Sequence, residues 1–430
     1  MRRDFLKLCG LAGLGVAAPL TGIGASRKEP EAYDGPYYVV FNASGGWDTT
    51  YLMDPKGGGE INRLYTQGDI LTEGAITFAP NAAHIDKSKP GGMSNEDFFT
   101  RYGKELLVFN GLDYSVNNHA PCSRYMATGK LDSLAYPTFA ALVAAARGSE
   151  CPLAFLTFGN YSNTGNVVPM ARVPYLSTLG RIANADCVEG NPRSPYHEDF
   201  VNDRIEAALR NQSDLRATQA RLPRVERAHS MLYAAQLNAK ALQRVTPFIP
   251  KVTPKGRLQG QAEIALASFK AGVCVSANLS IGQFDSHANN DRDQMNLIPE
   301  FLGGIDHLLR RAEELGIRNK LVVIIQSEMG RTPNYNKGNG KDHWSIGSTM
   351  FLGAGIKGNR VIGATDEGQF LKPIDPVSLS LSADPDKGLR VRPEHIHQSL
   401  REFAGIAGHE ASERFPFVIP EGERMQNFFA

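Results

Sequence analysis

A chain of 430 residues with 42% hydrophobic and 21% charged residues has the composition of a soluble globular protein, and it is long enough for one large domain or two. The formal net charge is only +1 and no basic run is present. We therefore expect neither nucleic acid nor an anionic membrane surface as a partner.

The first 25 residues are predicted to be an export signal. Arg2 and Arg3 precede a mildly hydrophobic stretch, rich in Gly and Ala, over residues 8–23. This pattern resembles a twin-arginine (Tat) signal, and the stretch is shorter than the roughly 20 apolar residues of a transmembrane helix. We expect cleavage near Ala25, the Tat translocase as the partner during export, a periplasmic or secreted location, and no stable membrane anchor.

Four cysteines would remain after that cleavage, and their spacing fits no zinc motif. An oxidising periplasm would permit a disulfide, but the sequence specifies no pairing. Cys274 lies in an apolar run and is predicted to be a core residue. The four are Cys122, Cys151, Cys187 and Cys274.

After a polar linker over residues 26–35, apolar and amphipathic segments alternate along a single domain predicted over residues 36–430. Buried strands are predicted at six runs: 37–41, 106–110, 152–158, 274–281, 321–325 and 350–352. Helices are predicted at 136–146, 261–271, 297–315 and 395–404. Charged sequence at about 200–250 predicts a helical cap insertion, either one long helix or a pair broken near Pro223. The repeated order of strand, loop and helix predicts an α/β fold with a mostly parallel central sheet flanked by helices.

Three of these strands are followed by side chains that can bind a metal. They are Asp48 after the first strand, Asp285 and His287 after the run 274–281, and Glu328 after the run 321–325, with Asp342 and His343 in the next loop. In a parallel sheet the carboxyl ends share one edge, where ligands bind. Burying these carboxylates without partners would be costly. The sequence therefore predicts one or two divalent cations, with ligands that suit Zn²⁺, Mn²⁺, Mg²⁺ or Ca²⁺.

Four motifs carry a resemblance to a known family. They are Gly45–Asp48, Phe284–His287, Ser327–Thr332 and Asp342–His343. In order and spacing they resemble the exported proteins of the family called domain of unknown function 1501 (DUF1501), which looks like a branch of the alkaline phosphatase and sulfatase superfamily. The resemblance covers roughly residues 36–420. It implies an alkaline-phosphatase-like sheet whose strand ends hold one or two metal ions.

The resemblance also implies roles for single residues. Asp285, His287 and His343 would bind one cation, Asp48 and Glu328 would bind a second, and Asp342 is a further candidate ligand. Met329 stands where the superfamily has a histidine beside its aspartate, so one of the two ions would be weakly held or missing.

The segment His119–Gly129 resembles the region in which the superfamily carries its nucleophile at the start of a helix. Cys122 is followed directly by Ser123 and Arg124, a spacing that disfavours the formylglycine of sulfatases. Ser123 is the candidate nucleophile, with a helix N-cap as the alternative role. His119 is a candidate metal ligand or general acid.

The predicted function is an exported metal-dependent hydrolase of phosphate or sulfate esters, with a small molecule or glycan ester as substrate. The metal would polarise the ester oxygen and activate Ser123 or a bound water. Arg124 and Arg331 would either clamp an anionic oxygen or pair with a site carboxylate. The alternative is a non-catalytic envelope protein that is stabilised by metal and binds glycans or a protein partner. An oxidoreductase is disfavoured, because no Gly-x-Gly-x-x-Gly follows the first strand and no haem or cluster cysteines are present.

Overall fold

The computed structural model describes residues 31–86, 91–159, 161–219, 238–384 and 386–430. The predicted export signal and the predicted break near Pro223 lie outside these ranges. No helix within them is both long and apolar enough to cross a bilayer.

The core of the protein is an eight-stranded sheet in the order β12-β4-β11-β8-β1-β7-β5-β6. All neighbouring pairs are parallel except the two that β11 makes with β4 and β8. The prediction of a mostly parallel central sheet is confirmed. The described strands are β1 Tyr37–Ala43, β2 Leu71–Glu73, β3 Ile76–Phe78, β4 Leu107–Asp113, β5 Phe155–Thr157, β6 Met170–Ala171, β7 Ser276–Ile281, β8 Leu321–Gln326, β9 Gly330–Arg331, β10 His343–Trp344, β11 Ile346–Gly353, β12 Arg360–Ile362, β13 Ala364–Thr365 and β14 Leu371–Lys372.

Helices cover both faces of this sheet, and the four predicted outside the insertion are present with ends shifted by one to seven residues, the largest shift being the start of the helix predicted at 297–315, which begins at Asn290. In the insertion, one long helix is seen and residues 238–243 are also helical. The described helices are α1 Asn95–Tyr102, α2 His119–Thr128, α3 Phe139–Gly148, α4 Leu176–Ala183, α5 Asp199–Gln219, α6 Arg257–Lys270, α7 Asn290–Glu314, α8 Pro393–Phe403 and α9 Glu410–Glu413.

The central strand β1 is buried on both sides, which explains its unbroken apolar sequence. Val39 and Phe41 belong to the core that α6 and α7 close, while Tyr38 and Val40 belong to the core beneath α2, α3 and α8. Cys274 is fully buried in the first of these cores, as predicted. It and the other three cysteines of the described chain are unpaired.

The sheet order places three strand ends side by side. β1 lies between β7 and β8 and is parallel to both, with Ala43 opposite Ile281 and Asn42 opposite Gln326. β11 runs the other way, so it is the start of this strand, at Ile346, that reaches the same edge. His343 precedes that start and pairs with β9 in a short antiparallel ribbon. The ribbon thus brings the last predicted ligand to the ends of the parallel strands.

Candidate active site

Asp285 lies at the centre of the predicted cluster. Its Oδ1 is 3.1 Å from His287 Nε2 and 3.3 Å from His343 Nε2, and these two nitrogens are 3.0 Å apart. Neighbouring ligands of a tetrahedral ion with bonds of about 2.0–2.1 Å lie about 3.4 Å apart. The triangle of Asp285, His287 and His343 atoms therefore has nearly the size of one face of such a site.

The other ring nitrogen of each histidine is bound to an acceptor. His287 Nδ1 donates to Asp342 Oδ1 at 2.8 Å, and His343 Nδ1 donates to the carbonyl oxygen of Asn117 at 2.8 Å. A carboxylate and a carbonyl can only accept, so each Nδ1 carries a proton, and in the neutral form of each ring Nε2 then presents a lone pair. Two lone pairs and the oxygen of Asp285 thus face one another, an arrangement that a cation between them would relieve.

Asp342, a predicted ligand, lies behind His287 and orients it. Its Oδ1 also accepts a hydrogen bond from Asn336 Nδ2 at 3.2 Å. The hydrogen bond with His287 lowers the pKa of Asp342, so this exposed carboxylate stays ionised.

Arg331 pairs with a site carboxylate, which decides between the two roles left open by the sequence. The guanidinium is buried and donates to Asp285 Oδ1 at 2.9 Å, and to the carbonyls of Gly45, Gly46 and Lys341. Partial burial alone would raise the pKa of Asp285, but the hydrogen bond and charge of Arg331 outweigh it and lower that pKa. Arg331 therefore fixes Asp285 and is not free to clamp a substrate.

His119, the first residue of α2, bridges two carboxylates. Its Nδ1 is 3.1 Å from Glu328 Oε1 and its Nε2 is 3.2 Å from Asp285 Oδ2. The hydrogen bond to Glu328 is the main cause that raises the pKa of His119, against its partial burial. An imidazole held in this way can carry a proton. It could also join a metal site, since donor atoms of His119, Asp285 and His343 all lie within 4.8 Å of one another.

Glu328, predicted to bind a second ion, is held by His119 and by the backbone. Its Oε1 accepts the N–H of Gly45 at 2.6 Å. Gly45 has φ +119°, and a Cβ there would lie 2.5 Å from the backbone nitrogen of Asp285. The glycine therefore allows the loops after β1 and β7 to touch, which places Glu328 and Asp285 on either side of His119.

Asp48, predicted as a metal ligand, instead forms a buried ion pair. Its Oδ2 is 2.7 Å from Lys341 Nζ and accepts a hydrogen bond from Asn290 Nδ2 at 2.9 Å. Its Oδ1 accepts the N–H of Thr50 at 3.1 Å and the hydroxyl of Thr50 at 2.6 Å. Both charged side chains are fully buried. Since each oxygen of Asp48 is in use, the positive charge expected from a second metal is supplied by Lys341.

Lys341 was not predicted from the sequence, although it directly precedes Asp342 and His343. A carboxylate predicted at a buried strand end needs a counter-charge, and a lysine beside two candidate ligands was the available signal. Met329 is buried in the apolar core and offers no ligand.

An open pocket of about 330 Å³ adjoins the cluster. His119 and Ser123, one turn apart on α2, both line it. The N-cap of α2 is Asn118, whose side chain accepts the N–H of Ala120, so the alternative role of Ser123 as N-cap is wrong. In the described part of the chain Ser123 Oγ makes no hydrogen bond. Arg124 does not line the pocket and donates from Nε to the carbonyl of Leu131 at 2.8 Å.

The floor of the pocket is a row of three strand amides that the sequence analysis also missed. Gln326 Nε2 donates to Asn42 Oδ1 at 3.0 Å, and Asn42 Nδ2 donates to Asn278 Oδ1. They lie on the adjacent strands β8, β1 and β7 and line the pocket. These amides could have been recognised in the sequence, because each stands within or directly after an otherwise apolar run that predicts a strand.

The comparisons with solved structures gave only distant similarities. The lipoteichoic acid synthase LtaP from Listeria monocytogenes is 8% identical over 94% of this chain and 78% of that chain, with a TM-score of 0.37. The sulfatase PsFucS1 from Pseudoalteromonas sp. is 10% identical over 89% and 69%, with a TM-score of 0.36. The protein PH0037 from Pyrococcus horikoshii is 11% identical over 86% and 98%, with a TM-score of 0.33. These values are too low to assign a function.

No curated protein matches the sequence. The family model described as "Protein of unknown function (DUF1501)" matches residues 203–384. This segment contains three of the four motifs, Phe284–His287, Ser327–Thr332 and Asp342–His343. The resemblance to DUF1501 that the motifs predict is therefore confirmed over residues 203–384.

Proposed function

We propose that the protein is a metal-dependent hydrolase of phosphate or sulfate esters. One observation carries the proposal: His287 Nε2, His343 Nε2 and Asp285 Oδ1 converge within 3.0–3.3 Å of one another. A single divalent cation is the ligand that such a set of lone pairs accommodates best. Two imidazole nitrogens favour Zn²⁺ over the harder cations Mn²⁺, Mg²⁺ and Ca²⁺, which prefer oxygen ligands.

One ion is proposed rather than two. Asp48 was the main candidate ligand for a second ion, and its carboxylate is neutralised by Lys341 at 2.7 Å. Glu328 is hydrogen-bonded to His119 and Gly45. A second cation would have to displace the buried ammonium of Lys341, which would leave that charge without a partner.

Each residue of the cluster has a part in the proposed reaction. A cation held by Asp285, His287 and His343 would polarise an ester oxygen and stabilise developing negative charge. His119 would give its proton to the leaving alcohol, because the hydrogen bond with Glu328 raises the pKa of its ring and the ring lines the pocket. Arg331 would hold Asp285 ionised and in place.

The nucleophile is proposed to be water. A serine nucleophile is activated by a neighbouring base or by a metal, and no base lies within hydrogen-bonding distance of Ser123 Oγ among the described residues. Its position in the pocket wall, one turn after His119, suits contact with substrate.

Export through the Tat pathway to the periplasm or beyond belongs to the same proposal and is supported by Arg2 and Arg3 with the apolar stretch that follows. The test is a fusion of residues 1–35 to a reporter that folds before export. The reporter should leave the cytoplasm, and replacement of both arginines by lysine should retain it inside the cell.

Elemental analysis combined with an ester assay tests the enzymatic proposal. The protein is assayed on aryl phosphates and aryl sulfates as wild type, as His343→Ala and as His84→Ala. His84 is an exposed histidine whose ring contacts the carbonyl of Leu64, so it serves as a matched control. Wild type and His84→Ala should contain about one equivalent of metal and hydrolyse an ester, and His343→Ala should lose both.

Two outcomes would contradict the proposal. Metal-free wild-type protein, or full metal content in His343→Ala, would exclude the metal site. Bound metal without turnover across the panel, together with a melting temperature that falls on chelation, would instead support the non-catalytic, metal-stabilised binding protein.

A further inference from the structure

We propose that the pocket beside the cluster binds the alcohol part of the ester and that this part is a neutral, polyhydroxylated unit of the size of one sugar residue. The identification of this ligand as part of an ester rests on the proposed function, whereas its binding does not. Three properties of the pocket carry the proposal: its amide floor, the charge of its lining and the shape of its wall.

The amide floor leaves hydrogen-bonding capacity directed at a ligand. Gln326 and Asn42 are joined through Nε2 and Oδ1 at 3.0 Å, and Asn278 Nδ2 donates to the carbonyl of Tyr161 at 3.2 Å. In the chain as described, Gln326 Oε1 and the second Nδ2 hydrogen of Asn278 have no protein partner. Amide groups that face a pocket have to be hydrogen-bonded by water or by a ligand. A strand that only needed to pack would carry apolar residues here, so the free amide groups indicate a polar ligand.

Hydroxyl groups continue this polar surface toward the cluster. Ser44 follows β1 and Ser280 is the penultimate residue of the neighbouring strand β7, and the two share a hydrogen bond of 2.8 Å between their Oγ atoms. Ser123 faces the same pocket from α2. Amides and hydroxyls both donate and accept, which is the capacity that a set of ligand hydroxyl groups requires.

The charge of the lining excludes an anionic alcohol part. Among the described residues that line the pocket there is no lysine or arginine. Its charged groups are Asp285, Glu328 and His119, all at the end where the reacting ester would lie. A second sulfate, phosphate or carboxylate in the pocket would be repelled by Asp285 and Glu328 and would find no lysine or arginine among the described lining residues.

The wall supplies apolar contact of limited extent. Met126 and Ala127 of α2 and the half-buried ring of Tyr161 line the pocket opposite the polar floor. The volume of about 330 Å³ is at the small end of the range for small-molecule sites, about 300–1,000 Å³. A ring with hydroxyls on its edge and C–H groups on its face fits this combination better than a long or strongly apolar group.

Ligand-observed NMR tests the binding directly and without any need for turnover. The probes are the neutral compounds glucose, galactose, mannose, xylose and myo-inositol, with glucuronate and phenol for comparison. The proteins are wild type, Gln326→Met, Ser280→Ala and the control Gln398→Ala. Gln398 is a partly exposed amide on α8 whose Nε2 donates to Glu402 at 2.6 Å, whereas Gln326→Met keeps the side-chain volume and removes the polar groups.

At least one neutral probe should give saturation-transfer signals with wild type and Gln398→Ala, and those signals should fall at least fivefold with Gln326→Met and with Ser280→Ala. Melting curves show whether Gln326→Met or Ser280→Ala has unfolded. If one of them has, the binding signals of the other test the proposal. Binding of no neutral probe, stronger binding of glucuronate or phenol, or equal signals in all folded variants would overturn the proposal. A protein that binds a neutral probe but hydrolyses no ester would refute the hydrolase function and leave the pocket assignment standing.

Discussion

His287 and His343 face each other through their Nε2 atoms, which are 3.0 Å apart. They come from separate segments, one following β7 and one in β10, and each ring is fixed at Nδ1 by an acceptor, Asp342 or the carbonyl of Asn117. With the proton of each neutral ring on Nδ1, the two Nε2 lone pairs lie against each other. A cation between them would turn this unfavourable contact into a favourable one.

Zinc should therefore stabilise the folded protein through this pair. A ligand that binds only the folded state raises the unfolding free energy by about 2.7 kcal/mol at one hundred times its dissociation constant. We expect the melting temperature of wild type to fall with a chelator and to rise again with Zn²⁺, while His287→Ala responds to neither. His84→Ala should behave as wild type. An equal zinc response in wild type and His287→Ala, measured by calorimetry, would refute a role of the pair in metal binding.

Asp342→Asn should weaken the metal site without removing it. The carboxylate orients His287 and increases the basicity of its ring, and loss of such a partner typically lowers metal affinity about 10–100-fold. Competition with a chromophoric chelator should show this fall, with a capacity still near one ion per chain. Asp375→Asn, in an exposed loop, is the control and should leave the affinity unchanged. A complete loss of capacity in Asp342→Asn would show instead that Asp342 is itself a ligand.

Lys341 and Asp48 should be strongly coupled in stability. Both are fully buried, so Lys341→Met leaves a carboxylate without its counter-charge and should cost about 3–5 kcal/mol of unfolding free energy. Asp48→Asn should be costly for the converse reason. The double variant should be more stable than the sum of the two losses predicts, as measured by urea unfolding. Additive losses would mean that the two charges do not stabilise each other.

The site was partly predictable because the sheet imposes the position of strand ends. Asp285 and Glu328 follow apolar runs, and parallel neighbouring strands must bring such residues to one edge. The direction of β11 was not predictable, because its apolar sequence is the same for either direction. The pairing of Asp48 with Lys341 was missed for another reason. It depends on how the loop before Asp342 folds back over the strand ends, which strand periodicity does not determine.

The acceptor behind His343 had no sequence signal at all. The carbonyl of Asn117 is a backbone group, and every residue offers one. By contrast, Asn42, Asn278 and Gln326 were visible as amides within or at the end of apolar runs and could have been recognised as a polar floor.

Ser123→Ala should retain ester hydrolysis to within about tenfold of wild type if water is the nucleophile, because in that case only a contact in the pocket wall is lost. Loss of a covalent nucleophile would instead reduce kcat by several orders of magnitude. The measurement is kcat on an aryl ester together with mass spectrometry of acid-quenched protein. Ser133→Ala, in an exposed loop, is the control. A covalent adduct on Ser123, with loss of activity in the alanine variant, would identify the serine as the nucleophile.

His397 should make the protein lose stability in acid. The ring is fully buried, and its Nε2 donates to the carbonyl of Met126 at 2.8 Å. Burial, with a smaller effect of Arg401, lowers the pKa of His397 from 6.5 to about 4. As the pH falls, His397 is therefore protonated at a higher pH in the unfolded chain than in the folded protein. The stability that the neutral His397 contributes is fully present above pH 6.5 and is lost progressively as the pH decreases to about 4. A shift of this size corresponds to about 3 kcal/mol at most.

Glu394 has the opposite effect on the pH dependence of stability. The contribution of His397 is therefore obtained as the difference in unfolding free energy between wild type and a His397 variant. Burial raises the pKa of Glu394 from 4.5 to about 7, and the stability linked to this proton is present below pH 4.5 and is lost as the pH rises through 7. His397→Gln keeps a donor for the carbonyl of Met126 and cannot titrate. Unfolding free energies of wild type and His397→Gln, measured between pH 4 and 8, should converge as the pH falls, because only wild type has an acid-sensitive imidazole. Parallel curves would show that His397 titrates alike in the folded and unfolded states.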